Sequence, residues 1–296
     1  MLTPFTEDNH LDFAALEALI DWYVKNQIDG LFAVCQSSEM FYLTLEERVQ
    51  LAAFVKKTAA GRVPVIASGH VSDSFDDQVR ELNQVAETGV DAVVLITNRL
   101  AGQTESDDTW LRNLEKLLKK IPENVPLGFY ECPYPYKRIL SPETLAWCAK
   151  TGRFAFLKDT CCDTDTIRQK LAAVKGTGLK IFNANTATLL ETLRLGVSGY
   201  SGVMANFHPS LYVWLLRNWK EKPREAERLV NFLSMAALIE RQLYPVNAKQ
   251  YVQLEGVKLG IRARSNDYLK FTPTFKLEVS QLHGISKEYE ETFSIF

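Results

Sequence analysis

The chain has 296 residues, enough for two ordinary domains or for one α/β barrel, so length alone does not decide between them. Its 34 basic and 36 acidic residues give a formal charge of −2, and the basic ones are scattered, which argues against nucleic acid as a partner and favours a small neutral or acidic metabolite. No stretch approaches the ~18 uninterrupted apolar residues of a membrane span, Thr3-Pro4-Phe5 follows Met1 without a basic or apolar leader, and the expectation is a cytoplasmic chain without a membrane partner.

Short apolar runs alternate with amphipathic stretches from the start. Met1-Leu2-Thr3 is the candidate for a first, very short strand, followed by a helix over 12–25 and a strand over 30–34. Then come a helix over 45–57 behind Thr44, a strand over 63–67, a helix over 76–87, a strand over 92–96 and a helix over 107–119. Next are a strand over 125–129, a helix over 142–150 opened by Ser141-Pro142, a strand over 154–157, and a helix over 165–174 capped by Asp163 or Thr164. A strand over 179–182, a helix over 187–195 and a strand over 200–204 complete the rhythm, which predicts a closed (β/α)8 TIM barrel more readily than an open doubly wound sheet. Beyond His208 helices follow one another, over 211–219, 224–242, 248–259 and 277–292, so the expected organisation is a barrel over residues 1–219 with a helical extension over 220–296.

Chemistry in such a barrel stands at the carboxyl ends of strands. Lys158 directly follows Phe154-Ala155-Phe156-Leu157, where apolar walls disfavour the ammonium and supply the neutral amine that attacks a carbonyl. Tyr130 closes the preceding strand, so its phenol should stand beside Lys158 as a proton carrier. The loop Cys35-Gln36-Ser37-Ser38-Glu39 is small and polar, suited to holding a carboxylate through N–H groups and the Ser37 hydroxyl. Cys35, Cys132, Cys148, Cys161 and Cys162 show no zinc or redox spacing, and His10, His70, His208 and His283 show no ligand spacing. No metal site is expected, and His70 reads as structural.

Leu2-Thr3-Pro4-Phe5, Asn26-Gln27-Ile28-Asp29-Gly30, Glu39 ahead of Thr44-Leu45-Glu46-Glu47-Arg48, Glu87-Thr88-Gly89-Val90-Asp91-Ala92, Tyr130 with Pro133, Phe156-Leu157-Lys158-Asp159, and Gly199 through Ala205-Asn206 occur in order. Together they resemble the dihydrodipicolinate synthase/N-acetylneuraminate lyase family. That resemblance implies a class I aldolase or lyase without a cofactor, Lys158 as the imine-forming residue, Tyr130 as proton shuttle, Gln36 and Ser37 on the carboxylate of a 2-oxo acid such as pyruvate, Ser201 as a further contact, and a homo-oligomer, dimer or tetramer.

Departures from the family pattern accompany it. Gly-Thr-Thr-Gly-Glu is replaced by Cys35-Gln36-Ser37-Ser38-Glu39, and Asn98-Arg99-Leu100 stands where the synthases carry Pro-Tyr-Tyr. Pro135 takes the place of their carboxylate-binding arginine, with Arg138 nearby, and Asn183-Ala184-Asn185-Thr186 replaces a Gly-Asp-Asp-like turn. The expected activity is therefore aldol cleavage or condensation of a 2-oxo acid with an aldehyde or sugar-acid partner, with Arg99 on the tail of a longer substrate, and not dihydrodipicolinate synthesis. The alternatives are a 2-oxo sugar acid dehydratase or hydratase using the same imine, and a catalytically silent barrel that binds a 2-oxo acid.

Overall fold

Seven of the apolar runs become parallel strands, hydrogen-bonded in chain order: β1 (Leu31–Phe32), β2 (Val65–Ala67), β3 (Ala92–Ile96), β4 (Leu127–Tyr130), β5 (Phe154–Asp159), β6 (Lys180–Asn183) and β7 (Gly199–Tyr200). The computed structural model describes residues 1–295. Between the strands run α1 (Phe13–Lys25), α2 (Leu45–Ala59), α3 (Phe75–Glu87), α4 (Asp107–Leu118), α5 (Pro142–Lys150), α6 (Thr164–Ala173) and α7 (Leu189–Leu195), and the curled sheet with its outer helices is a TIM barrel. After it come α8 (Pro209–Asn218), α9 (Pro223–Ala236), α10 (Val246–Leu254) and α11 (Pro273–Thr292).

Local chemistry explains the helix starts. Thr44 and Glu47 form a reciprocal capping box at α2, Ser141 accepts the Thr144 N–H ahead of Pro142 at α5, and Asp163, not Thr164, caps α6. The last helix begins at Pro273 behind the Thr272 cap, earlier than its periodicity predicts, because proline at the first helical position loses no needed N–H.

Two expected strands differ. Met1-Leu2-Thr3 forms no strand: the Met1 amine reaches Phe32 O at 2.8 Å, but Thr3 Oγ1 turns to Ser38 O, Pro4 has no N–H, and Phe5 bridges to Leu11. Residues 200–204 are strand only at Tyr200; Val203–Asn206 is a 3-10 turn. A Cβ on Gly202 would lie 2.1 Å from Tyr200 Oη and 2.5 Å from Ala184 O, so only glycine lets the chain turn back over Tyr200. Because no strand among the described residues fills the eighth position, β7 and β1 face each other across a cavity of about 600 Å³, whose lining includes Phe32, Ile66, Phe156, Lys158, Phe182 and Tyr200.

One contiguous apolar core joins the barrel to the later helices, from Leu2 and Leu95 through Leu215 to Leu233 and Val279. On the outer side of β4, Phe129 is fully buried, stacked on Phe154 at 4.0 Å between ring centres and packed on Trp110. On the inner side, Gly128 leaves the space that the Phe156 ring occupies, since a Cβ there would come within 2.2 Å of it. Phe129→Ala is expected to cost about 3–5 kcal/mol, by lost transfer energy plus a cavity, read as a lowered denaturant midpoint.

Candidate active site

β4 and β5 run in register with Tyr130 opposite Lys158, and alternation along each strand turns both side chains into the barrel mouth. Lys158 Nζ lies 4.4 Å from the centre of the Tyr130 ring and 5.5 Å from that of Phe32. No hydrogen bond or ion pair reaches this amine among the described residues. Burial lowers its pKa from the ordinary lysine value, with Cys35 and Cys132 opposing the shift. The same burial pushes the Tyr130 phenol well above its usual range, so the ring carries its proton.

Tyr130 Oη donates to Gln36 Oε1 at 3.4 Å, and Cys132 Sγ approaches the same oxygen at 3.7 Å. Gln36 and Ser37 sit on a 3-10 turn, Gln36–Ser38, where Gln36 is exposed and Ser37 buried. A smaller cavity of about 110 Å³ is lined by Lys158, Ser37, Cys35, Tyr23, Ser201 and Asn206, among others. Lys158, Ser37 and Ser201 are thus brought together, with Tyr130 and Gln36 at their side. Burial raises the Cys35 thiol, but the Met1 amine, Lys158 and the backbone N–H groups of Ser38 and Ser37 outweigh it and hold the thiol below its ordinary value.

The Cys35–Glu39 loop is anchored from the far end of the chain. Glu39, left-handed at φ 64°, accepts Lys249 Nζ at 2.9 Å through one carboxylate oxygen. Its other oxygen takes the N–H groups of Arg264 and Ser265, both at 2.7 Å, and the Ser265 hydroxyl at 2.8 Å. Lys249 and Glu39 are both buried, and Lys249 and Arg264 each lie against the Phe5 ring. The C-terminal helices therefore hold the loop that faces the amine.

Arg99 is not part of either cavity lining. It is largely buried, ion-paired with the exposed Asp73 and placed over the Phe41 ring, 5.7 Å from its centre. Arg138 does not replace the missing arginine at Pro135: it points to α4, where it meets Asp107 at 2.9 Å and the carbonyls of Gly102 and Glu105. His70 is buried away from both cavities, and burial, with Arg99 and Arg48 nearby, lowers it to about 3. In the turn after β6, Asn183 bonds Thr188, Thr192 and the Asn185 N–H, closing that turn on α7.

Sequence reasoning missed Phe32, Cys132, Tyr23 and Tyr200 as groups around the amine, and missed a buried ionic cluster behind it. Glu131 and Asp159, the residues directly after Tyr130 and Lys158, both bond Lys170 Nζ, at 2.6 and 2.5 Å, and all three side chains are fully buried. One signal was available: Lys170 falls three residues after Ile167, on the apolar stripe of α6, where a lysine needs a partner.

Comparisons with known proteins bear on the family and the fold. The family model described as the dihydrodipicolinate synthetase family matches residues 1–274. The 4-hydroxy-tetrahydrodipicolinate synthase of Bacillus velezensis is 26% identical over 262 residues, covering 88% of this chain and 89% of its own. Among solved structures, the Escherichia coli K12 prophage protein YagE, in complex with pyruvate, superposes with a TM-score of 0.86 at 24% identity, over 97% of this chain and 96% of its own. Clostridium difficile CdNal, in complex with mannosamine, superposes at 0.85 with 16% identity, over 96% of each chain.

His208, like His70, is buried and lowered to about 3 by that burial. Below an unfolded value near 6.5 the unfolded chain takes up protons that the folded imidazoles refuse, so the stability they contribute is full above about 6.5 and is lost as pH falls toward 3. His70→Asn is expected to flatten that acid loss by about 1.4 kcal/mol per pH unit, measured as urea midpoints across this window. An unchanged slope would assign the acid sensitivity to other groups.

Proposed function

This chain belongs to the dihydrodipicolinate synthetase family, and on that premise we propose that it is a Schiff-base-forming lyase or aldolase in which Lys158 takes pyruvate or another 2-oxo acid. The observation that carries the reading is the amine itself: a lysine at the carboxyl end of β5, desolvated, unpaired among the described residues, with its nitrogen on the face of Tyr130. The pyruvate bound by YagE supports the class of substrate.

Neutral Lys158 adds through its nitrogen lone pair to the C2 carbonyl, and the carbonyl oxygen takes a proton to give a carbinolamine. Tyr130 carries a proton to the departing hydroxyl, water leaves, and an iminium forms on Nζ. In cleavage the C4 hydroxyl returns a proton to the Tyr130 oxygen, the C3–C4 bond breaks and its electron pair passes into the iminium, giving an enamine and an aldehyde; condensation runs the same steps backward. The Ser37 hydroxyl and the 3-10 turn that carries it receive the C1 carboxylate, and Ser201 lines the same cavity. Gln36 orients the phenol through the Tyr130 hydroxyl bond.

The second partner is not aspartate semialdehyde. Both arginines near the rim are engaged by the protein's own carboxylates, Arg99 by Asp73 and Arg138 by Asp107, and Asn98 ties the β3 loop to the carbonyls of Cys132, Tyr134 and Tyr136 where the synthases' tyrosine relay would begin. A hydroxylated aldehyde or sugar-acid partner remains the reading for that side. Exposed Met235, Leu238, Leu269 and Leu277 on the C-terminal helical part support a homo-oligomer.

Borohydride with pyruvate is expected to give an irreversible mass gain on the peptide carrying Lys158, and none in Lys158→Ala. Tyr130→Phe is expected to retain the adduct but lose turnover by about 10²-fold or more. An adduct on another lysine, or none, sinks the assignment. With pyruvate and aspartate semialdehyde, kcat/KM is expected to stay below the ~10⁴ M⁻¹s⁻¹ at which ordinary enzymes begin, and a value above it would overturn the substrate reading.

A further inference from the structure

Lys170 has no part in the chemistry described so far, yet among the described residues it is the one cation that meets both residues following Tyr130 and Lys158. Alternation along a strand sends successive side chains to opposite faces. Tyr130 and Lys158 point into the mouth; Glu131 and Asp159, one residue on, point out beneath α6 and meet Lys170 Nζ at 2.6 and 2.5 Å. Each carboxylate also grips backbone. Glu131 accepts the N–H of Leu140 at 2.9 Å and of Thr160 at 3.0 Å, and Asp159 accepts the N–H of Cys161 at 2.9 Å. The two strand ends are further crosslinked by the Glu131 N–H on Lys158 O at 3.2 Å and by Thr160 Oγ1 on Glu131 O at 2.7 Å.

This cluster holds two carboxylates and one ammonium with no exposure to water. Burial raises the Glu131 carboxyl to about 7, with the Asp159 charge adding to the shift and Lys170 opposing it. A simple apolar plug would stabilise the fold as well or better, since buried ion pairs are commonly neutral or costly against apolar replacements of similar volume. What such a plug would not supply is directional attachment of two strand ends to one point, and small displacements of reacting groups carry large rate effects.

We propose that Lys170 is a positioning residue for the imine chemistry, acting through Asp159 and Glu131 to fix the ends of β5 and β4 so that the Lys158 amine and the Tyr130 phenol meet, and to keep both carboxylates away from that amine. The inference rests on the Schiff-base reading of Lys158.

The test measures borohydride trapping of pyruvate on Lys158 against pyruvate concentration, in wild type, Lys170→Met and Asp159→Asn, at a temperature where circular dichroism shows each variant folded. Asp159→Asn leaves Lys170 and Glu131 as a one-to-one charge pair, so it decides the matter if Lys170→Met does not accumulate folded. The expected result is a maximal trapping rate lowered tenfold or more with the half-saturating pyruvate concentration changed less than threefold. A role in stability alone would lower the melting temperature and leave the maximal rate unmoved below it. Folded variants that trap at the wild-type maximal rate, or that lose only pyruvate affinity, overturn the positioning role while the Schiff-base reading stands. A wild-type protein that yields no adduct on Lys158 overturns both.

Discussion

In the proposed Schiff-base chemistry Lys158 must shed a proton before it attacks a carbonyl, and a single carboxylate about 4 Å away would oppose this by roughly 4 kcal/mol at an effective dielectric constant near 20, a thousandfold preference for the ammonium. The barrel mouth is arranged around avoiding that contact. Glu131 and Asp159 are turned to Lys170, Glu39 to Lys249, Asp107 to Arg138 and Asp73 to Arg99. The groups that favour the charged form of Lys158 are the thiols Cys35 and Cys132, and desolvation outweighs them. An unpaired amine surrounded by aromatic faces is thus the product of how the neighbouring acids are satisfied elsewhere.

Satisfying those acids also ties distant parts of the chain to the site. Glu39 ends the loop that carries Gln36 and Ser37, and the four hydrogen-bonded or ionic contacts of its carboxylate include none from the barrel strands: Lys249 lies on α10, and Arg264 and Ser265 on the segment beyond it. The helices after the barrel share the barrel's core and supply the anchor for the loop facing Lys158. Loosening α10 would therefore reach the amine through one buried ion pair, without touching the mouth itself.

The unfilled eighth position gives the mouth a second feature. With β1 and β7 unpaired to one another, the cavity beside Lys158 continues along the seam between them, walled by Phe32, Phe156, Phe182 and Tyr200. These rings desolvate the amine from one side while the small polar cavity with Ser37, Tyr23 and Asn206 opens on the other. The lysine stands at the boundary of an apolar and a polar space, which suits a substrate with a carboxylate at one end.

Much of this was legible in the chain. Seven apolar runs separated by capped amphipathic stretches determine a parallel barrel, because strand and helix periods are local properties, and Thr44, Ser141 and Asp163 mark helix starts for reasons confined to four residues. The convergence of Lys158 with Tyr130 also follows from sequence, since both end successive strands of one sheet. The first strand misled because its three residues form only one sheet bond before Pro4, and the last because Gly202 turns the chain two residues after Tyr200. Arg99 shows the limit of position as a guide: its place after β3 is set by sequence, but its direction is set by Asp73 and Phe41, which belong to other loops. Lys170 shows the same from the other side, a helical lysine whose partners lie 39 and 11 residues away and whose meaning appears only when β4 and β5 bring Glu131 and Asp159 beneath it. Local periodicity and chemistry determined which residues reach the barrel mouth; the pairing of buried charges across loops and strands, a long-range electrostatic requirement, decided which of them stand without a charged partner among the described residues.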